Sequence, residues 1–322
     1  MNVSNRIEVA AKLIQEGKLV AFPTETVYGL GANALNPLAV AKIFQLKERP
    51  SFDPLIVHIA SMDDLEKLTI ETSELVYQLA EKFWPGPLTI VLPKSDLVPD
   101  LVTSGLPTVG IRMPANDLAL ALIKAAGCPI AAPSANKFGQ LSPVSAGHVL
   151  KQLPDVDYVL DGGSTQVGIE STIVSVEGSH CQLLRPGFIT LEDIENALPG
   201  KFVFNHVRPE KLVSPGLLKS HYSPKKPLHI LSGIPASLPS GSGVILHGRQ
   251  GDDFVANKVV YTSQTFDLVE VAANLFAALH AMEEDPSVEQ IFIETVDEVG
   301  LGIAIMDRVK KAAYQYQKNS DC

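Results

Sequence analysis

Aromatic side chains make up only 6% of this 322-residue chain, against 46% hydrophobic residues overall. Small and aliphatic groups must therefore do most of the packing. Basic charge is also short: 26 Lys and Arg face 36 Asp and Glu, a formal net charge of −10. That balance excludes a general nucleic-acid coat, because phosphate neutralisation needs a basic surface. It leaves room for a local basic cleft and a small anionic ligand. Cysteine is limited to Cys128, Cys181 and Cys322, with no Cys-x-x-Cys. This argues against a disulfide framework or thiolate zinc site and predicts a reducing, cytoplasmic setting. No apolar run approaches the ~20 residues needed to cross a bilayer. Residues 7–16 read as an amphipathic helix, not a targeting signal. The patterns Gly-x-x-x-x-Gly-Lys-Ser/Thr and an early Gly-x-Gly-x-x-Gly are missing, so P-loop and dinucleotide-fold readings are weak. Ser134 lacks the Gly-x-Ser-x-Gly context of a serine hydrolase, and no His/Cys cluster or paired-His motif marks a metal.

What is present is alternation of strand and helix. Strands are predicted at 19–22, 55–59, 88–92, 109–112, 130–132, 158–160, 171–176 and 182–184. Helices are predicted at 6–16, 37–47, 62–68, 73–83, 117–126, 145–152 and 191–197. Some strands follow each other without a helix, so the sheet is mixed. The pattern weakens over 200–226, where Leu217, Leu218 and Tyr222 suggest an ordered linker and not a Gly/Ser tether. It resumes with strands at 228–231, 243–247, 258–261 and 290–294 and helices at 266–283 and 303–316. The fold class is α/β: a large mixed twisted sheet (1–200), a linker or lid (201–226) and a smaller α/β, Rossmann-like domain (227–322).

Polar groups gather where strands end. Pro23-Thr24-Glu25-Thr26-Val27-Tyr28-Gly29-Leu30-Gly31 follows an apolar run and precedes Asn36-Pro37, a helix start with Asn as cap. It reads as a strand-to-helix turn, where α/β proteins bind ligands. Lys47-Glu48-Arg49-Pro50 closes the next helix. Two cations at i and i+2 converge only where a helix unwinds, and Pro50 stops it there. Arg112 and Arg185 end strands; each can fork onto a carboxylate or phosphate, or serve a structural ion pair. Ala132-Pro133-Ser134-Ala135-Asn136, Ser142-Pro143 and Gly168-Ile169-Glu170-Ser171-Thr172 add hydroxyls and amides. His58 interrupts an apolar strand and reads as a core histidine. Singly, each is an ordinary turn or packed residue. Together they describe one polar cleft for a polyanionic small molecule, with no nucleophile–base pair.

Five motifs in order carry a resemblance to a known family: Pro-Thr-Glu-Thr-Val-Tyr-Gly-Leu-Gly, Lys-x-Arg-Pro with Asp-Pro-Leu, Gly-x-Arg-x-Pro, Pro-Ser-Ala-Asn and Gly-x-Glu-Ser-Thr. The chain resembles the YrdC-like threonylcarbamoyl-AMP synthases. Its Ser-Pro-Gly…His-Tyr-Ser-Pro linker and second domain resemble their long, two-domain form. The resemblance implies a nucleotidyltransferase that makes threonylcarbamoyl-AMP and pyrophosphate from L-threonine, bicarbonate and ATP. The product would pass to tRNA threonylcarbamoyl-transfer proteins. The implied Mg²⁺ is held mainly by the ATP phosphates. The chain itself would be a monomer or homodimer, and direct tRNA contact stays open.

By motif position, Lys47, Arg49, Asp53, Thr108, Ser134, Asn136, Ser142, Arg185 and Tyr222 match the ATP side. Lys47 and Arg49 carry the catalytic role. Thr26, His58, Arg112, Ala132 and Ser171 or Thr172 match the threonine side, with Arg112 on the amino-acid carboxylate. Tyr222 implies that the linker closes over the site. The chain departs from the family at Asp53, often Asn, and at Phe138, Gln140 and Val144. Two other readings are carried: an RNA- or tRNA-binding module without catalysis, and a carbamoyl-adenylate-forming enzyme.

Overall fold

The computed structural model describes residues 3–200, 221–231, 233, 238–248 and 256–317. Most of the expected linker, 201–220, lies outside the described residues. In chain order the first part contains α1 (Val3–Gln15), β1 (Val20–Pro23), β2 (Tyr28–Asn33), α2 (Pro37–Lys47), β3 (Ile56–His58), α3 (Met62–Leu68), α4 (Glu74–Phe83), β4 (Leu88–Pro93), α5 (Asp100–Thr103), β5 (Thr108–Arg112), α6 (Asp117–Ala126), β6 (Ile130–Ala131), α7 (Ala146–Gln152), β7 (Tyr158–Val159), β8 (Thr172–Glu177), β9 (His180–Arg185) and α8 (Leu191–Ala197). The second contains β10 (Leu228–Leu231), β11 (Ser242–Leu246), β12 (Lys258–Tyr261), α9 (Leu268–Glu284), β13 (Gln290–Glu294) and α10 (Leu301–Gln317).

The first sheet has nine strands in the order β7-β1-β2-β6-β3-β5-β4-β8-β9. It is mixed, as the sequence predicts: β3–β5 and β4–β8 are parallel, while β1–β2 and β4–β5 are antiparallel. Strand alternation divides the core between its faces. Val20 and Phe22 of β1 pack with Ala10, Ile14, Leu122 and Ile123 from α1 and α6. Ala21 joins the opposite layer, with Val40 and Ile43 of α2 and Leu75 and Leu79 of α4. The second sheet is wholly parallel, β10-β13-β11-β12, and packs against α9 and α10 through Leu275, Phe276, Ile305 and Val309. The same apolar cluster includes Val27, Val167 and Ile169 of the first part and Tyr222. The two parts thus share packed interior.

Local chemistry sets the boundaries. Asn36 Oδ1 accepts from the Leu38 and Ala39 amides and starts α2. Glu48, at φ 55, ends it in the left-handed conformation before Pro50. Asp267 caps α9, so the helix begins at Leu268 and leaves out Phe266. One expectation is corrected. The segment 23–31 is no strand-to-helix turn: it is a β-hairpin, with Phe22 paired to Gly29 and Val20 to Gly31. Periodicity does not reveal the second strand, because two of its positions are glycine. At Gly31 a Cβ would sit 2.7 Å from the Phe22 ring and 2.8 Å from Ile130, so only glycine allows this close approach. The one-turn α5 was also not predicted.

Candidate active site

A cavity lies where the turn of the β1–β2 hairpin faces β3, β5 and the loops 132–134 and 170–171. Parallel pairing of β3 with β5 sets His58 beside Arg112. Antiparallel pairing of β3 with β6 carries the chain to Ala132. Thr26, His58, Arg112, Ala132 and Ser171 all line the cavity. Arg112 is only 4% exposed. Its Nη1 donates to Thr26 Oγ1 at 3.0 Å and its Nε to the Gly86 carbonyl at 3.2 Å. Its Nη2 lies 2.6 Å from Glu25 Oε1. That contact lacks hydrogen-bond alignment, and both Glu25 oxygens are otherwise without partners. His58 is kept neutral: burial first, then Arg112, push its pKa down to about 3. No hydrogen bond of ordinary geometry reaches its Nδ1. Thr172 is different; its hydroxyl donates to the Ile189 carbonyl at 2.6 Å. Of that pair, Ser171 is the one at the cavity.

The second half of the site starts where α2 ends. Lys47 is 1% exposed and its Nζ donates to the Ser134 carbonyl at 2.6 Å and the Asn136 carbonyl at 2.5 Å. Burial, and next the neighbouring Arg49, push its pKa well down. Arg49 donates to the Asp53 and Pro54 carbonyls and pairs with the Asp53 carboxylate at 2.9 Å. Asp53 is therefore the counter-ion of Arg49. Asn136 turns its amide nitrogen to the Lys137 and Gln140 carbonyls, and its Oδ1 is buried without a partner. Arg185 clamps Ser171 through Nε and Nη2. Arg49, Ser134 and Arg185 line the cavity directly; Lys47, Asp53, Asn136 and Ser142 stand behind it. Thr108 opens β5, two residues before Gly110, which pairs with Ile56. On its other side Thr108 pairs with Pro93 of β4, and it does not line the cavity.

The residues just after 220 close the cavity. His221 and Tyr222 line it and are 6% and 1% exposed. Tyr222 adopts φ 62, a conformation an aromatic residue takes only when its surroundings impose it. The surroundings are visible: its ring packs on His221 and Phe276. Ser223 donates its amide to the Gly139 carbonyl at 2.8 Å. Phe138 meets His221 edge-on and lies under Arg49, and Gln140 bridges to Ser223. Two of the departures from the family pattern thus hold the segment 221–223 in place. Thr24, Glu170 and His221 also line the cavity, and Glu25 pairs with Arg112 beside it; motif position does not point to these four. The signal was in the sequence: two carboxylates embedded in otherwise apolar or hydroxyl motifs.

The family model described as "Telomere recombination", for Sua5, YciO and YrdC proteins, matches residues 12–187. The chain belongs to the Sua5/YciO/YrdC family. A second model, described as "Threonylcarbamoyl-AMP synthase, C-terminal domain", matches residues 189–314, so it has the long form of the family. It is 44% identical to the threonylcarbamoyl-AMP synthase of Pyrococcus abyssi over 97% of both chains. It is also 44% identical to that of Bacillus subtilis, over 96% of this chain and 93% of the relative. Among solved structures, the chain is similar to P. abyssi Sua5 complexed with L-threonine, with TM-score 0.88 and 42% identity over 98% of this chain and 95% of that one.

Proposed function

We propose that this chain is a threonylcarbamoyl-AMP synthase, a nucleotidyltransferase serving tRNA modification. The observation that carries the reading is the cavity itself. A carboxylate fork, Arg112, lies beside neutral His58 on its wall, Arg49 and Arg185 line it as well, and Lys47 stands behind it on the Ser134 and Asn136 carbonyls. Kinship over nearly the whole chain with synthases, and with a relative crystallised with L-threonine, supports it. Threonine binds with its carboxylate on Arg112 and its polar groups near Thr26, His58, Ala132 and Ser171. Its amine forms a C–N bond to the bicarbonate carbon while a C–O bond breaks and water leaves, giving a carbamate; a carbamate oxygen then attacks the α-phosphorus of ATP, and the P–O bond to pyrophosphate breaks as the new one forms. Orientation and charge neutralisation supply the rate, with no covalent nucleophile needed. Lys47, Arg49 and Arg185 neutralise the phosphates, while Asp53, Thr108, Ser134, Asn136 and Ser142 shape the nucleotide side. The chain divides into a catalytic domain, 1–200, and a second domain, 227–322, joined by a linker, 201–226, of which His221 and Tyr222 cover the cavity. Closure excludes water from a hydrolysable mixed anhydride.

The carboxylates around the site are already engaged: Asp53 by Arg49, Glu170 by Arg308 and Glu25 by Arg112. The residues therefore suit a Mg²⁺ that arrives on the nucleotide, where it offsets phosphate charge, and provide no carboxylate dedicated to it. The test is pyrophosphate release from ATP and bicarbonate with and without threonine. Threonine-dependent release is expected. Release that ignores threonine, or that needs carbamoyl phosphate instead, defeats the reading.

A further inference from the structure

Arg308 of α10 is 1% exposed, and its donors reach across to the first part of the chain. Nε donates to Glu170 Oε2 at 3.0 Å and Nη2 reaches the Glu170 carbonyl at 3.4 Å. Nη1 donates to the Pro186 carbonyl at 2.6 Å and to Asp307 Oδ2 at 3.0 Å. The guanidinium carbon lies 5.7 Å from the centre of the Tyr222 ring. Glu170 and Tyr222 both line the cavity. Glu170 Oε1 in turn accepts from Ser142 Oγ at 2.6 Å. Burial alone raises the Glu170 pKa, but Arg308, Arg185 and Ser142 outweigh it and bring it below the ordinary value. Glu170 is thus a buried anion at the wall of a cavity rich in cations.

The same segment is fitted to the second domain by its backbone. Gly168, at φ 76, has the carbonyl oxygens of Ala272 and Ala273 2.4 Å from where a Cβ would be. Only glycine lets α9 seat so closely. His280 of α9 also approaches the Ser142 carbonyl, with its Nε2 at 3.1 Å. The Gly168-Ile169-Glu170 stretch therefore serves two masters, the cavity and the domain contact.

We propose that Arg308 is a positioning residue of the active site, supplied by the second domain, which keeps Glu170 neutralised beside the bound nucleotide and steadies Tyr222 over it. The inference rests on the ATP-binding reading above. Its physical basis is that a buried carboxylate stripped of its partner is an uncompensated charge, here facing a triphosphate. The proposal explains why a second domain without catalytic motifs is packed against this site.

The test compares wild type, Arg308→Gln, Arg308→Lys and the double variant Arg308→Gln/Glu170→Gln. Binding of an ATP analogue with a methylene bridge between the α- and β-phosphorus is measured, together with the KM for ATP and for threonine. Arg308→Gln is expected to weaken analogue binding and raise the ATP KM about tenfold or more, with the threonine KM within about twofold. Arg308→Lys recovers part of the loss, and removing the Glu170 charge recovers most of it. Unchanged analogue binding, equal losses toward both substrates, or a folded double variant as impaired as Arg308→Gln overturns the proposal. Thermal melting identifies a variant that fails to fold; Arg308→Lys against Arg308→Lys/Glu170→Gln then makes the same comparison. A wild-type protein that binds the analogue but shows no threonine-dependent pyrophosphate release defeats the reaction assigned above, and the binding comparison still decides Arg308.

Discussion

The two sheets treat buried polarity in opposite ways. Around the nine-stranded sheet, buried polar atoms are left without a hydrogen-bond partner, among them His58 Nδ1, Asn136 Oδ1 and His221 Nδ1. Among the described residues, no such atom occurs beyond Ser223. In the second domain His247 is bonded through Nδ1 to Thr262 Oγ1 and through Nε2 to the Glu294 carbonyl, both at 2.8 Å. Unsatisfied polar groups cost stability unless a ligand meets them. The first region therefore holds polarity in reserve for a substrate, while the second spends its polar contacts on its own fold. Arg308 belongs to the second pattern in its saturated bonding and to the first in its place.

Substitutions should separate the regions by what they damage. Lys47→Ala is expected to have the largest effect, lowering the turnover rate about 10²–10³-fold, as loss of a charge-stabilising donor does. Its unfolding free energy should fall by about 1–3 kcal/mol, since the Ser134 and Asn136 carbonyls lose a buried donor; a variant that no longer folds would make Lys47 a fold residue and erase the contrast. Phe276→Ala is the mirror case. The ring is fully buried in the second domain and lies 5.4 Å from Tyr222, so its loss should cost about 3–5 kcal/mol in denaturant unfolding. Arg112→Ala should raise the threonine KM by an amount equivalent to about 2–3 kcal/mol and leave the ATP KM nearly unchanged. Parallel rises in both constants would show that the cavity has no separate threonine end.

Acid sharpens the comparison further. Burial, first among the causes, lowers the pKa of His58 to about 3 and those of His247 and His280 to about 4. The unfolded chain binds protons on these rings from about pH 6.5 downward, whereas the folded chain does not. Stability is thus fully present above pH ~6.5 and falls as the pH drops toward 4, each ring contributing up to about 1.4 kcal/mol per pH unit. His247→Gln should flatten that slope without touching threonine-dependent turnover, as unfolding curves from pH 7 to 4.5 would reveal. The smallest change concerns the cap of α8. Thr190 Oγ1 accepts from the Asp193 amide, and the Asp193 carboxylate accepts from the Thr190 amide in return. Thr190→Ala should cost about 1 kcal/mol in unfolding free energy and nothing in KM.

Much of the fold was legible because local rules agree with the tertiary answer. Asn36-Pro37 predicts the start of α2, and Glu48-Arg49-Pro50 its end, from capping chemistry alone. The β2 strand is hidden, since Gly29 and Gly31 remove the side chains that periodicity reads; Phe22 and Ile130 occupy the space at Gly31, and Ala132 stands 3.2 Å from where a Gly29 Cβ would be. The site was legible in kind but not in detail. Strand-end cations at Arg112 and Arg185 could be picked out, yet nothing local tells an Arg that faces a ligand from one that holds a carboxylate. His58 looked like a core residue from its strand, and it is buried; its unmet Nδ1 is seen only in three dimensions.

The sequence by itself determined the α/β class, the apolar layers and the inventory of hydroxyls, amides and cations, because periodicity and capping are local. Tertiary structure alone decided which charges meet. The pairing of β3 with β5 brought His58 to Arg112, and the packing of α10 brought Arg308 across 138 residues to Glu170. Such pairings depend on strand register and domain contact, which join positions far apart in the chain, so no local pattern names the partner.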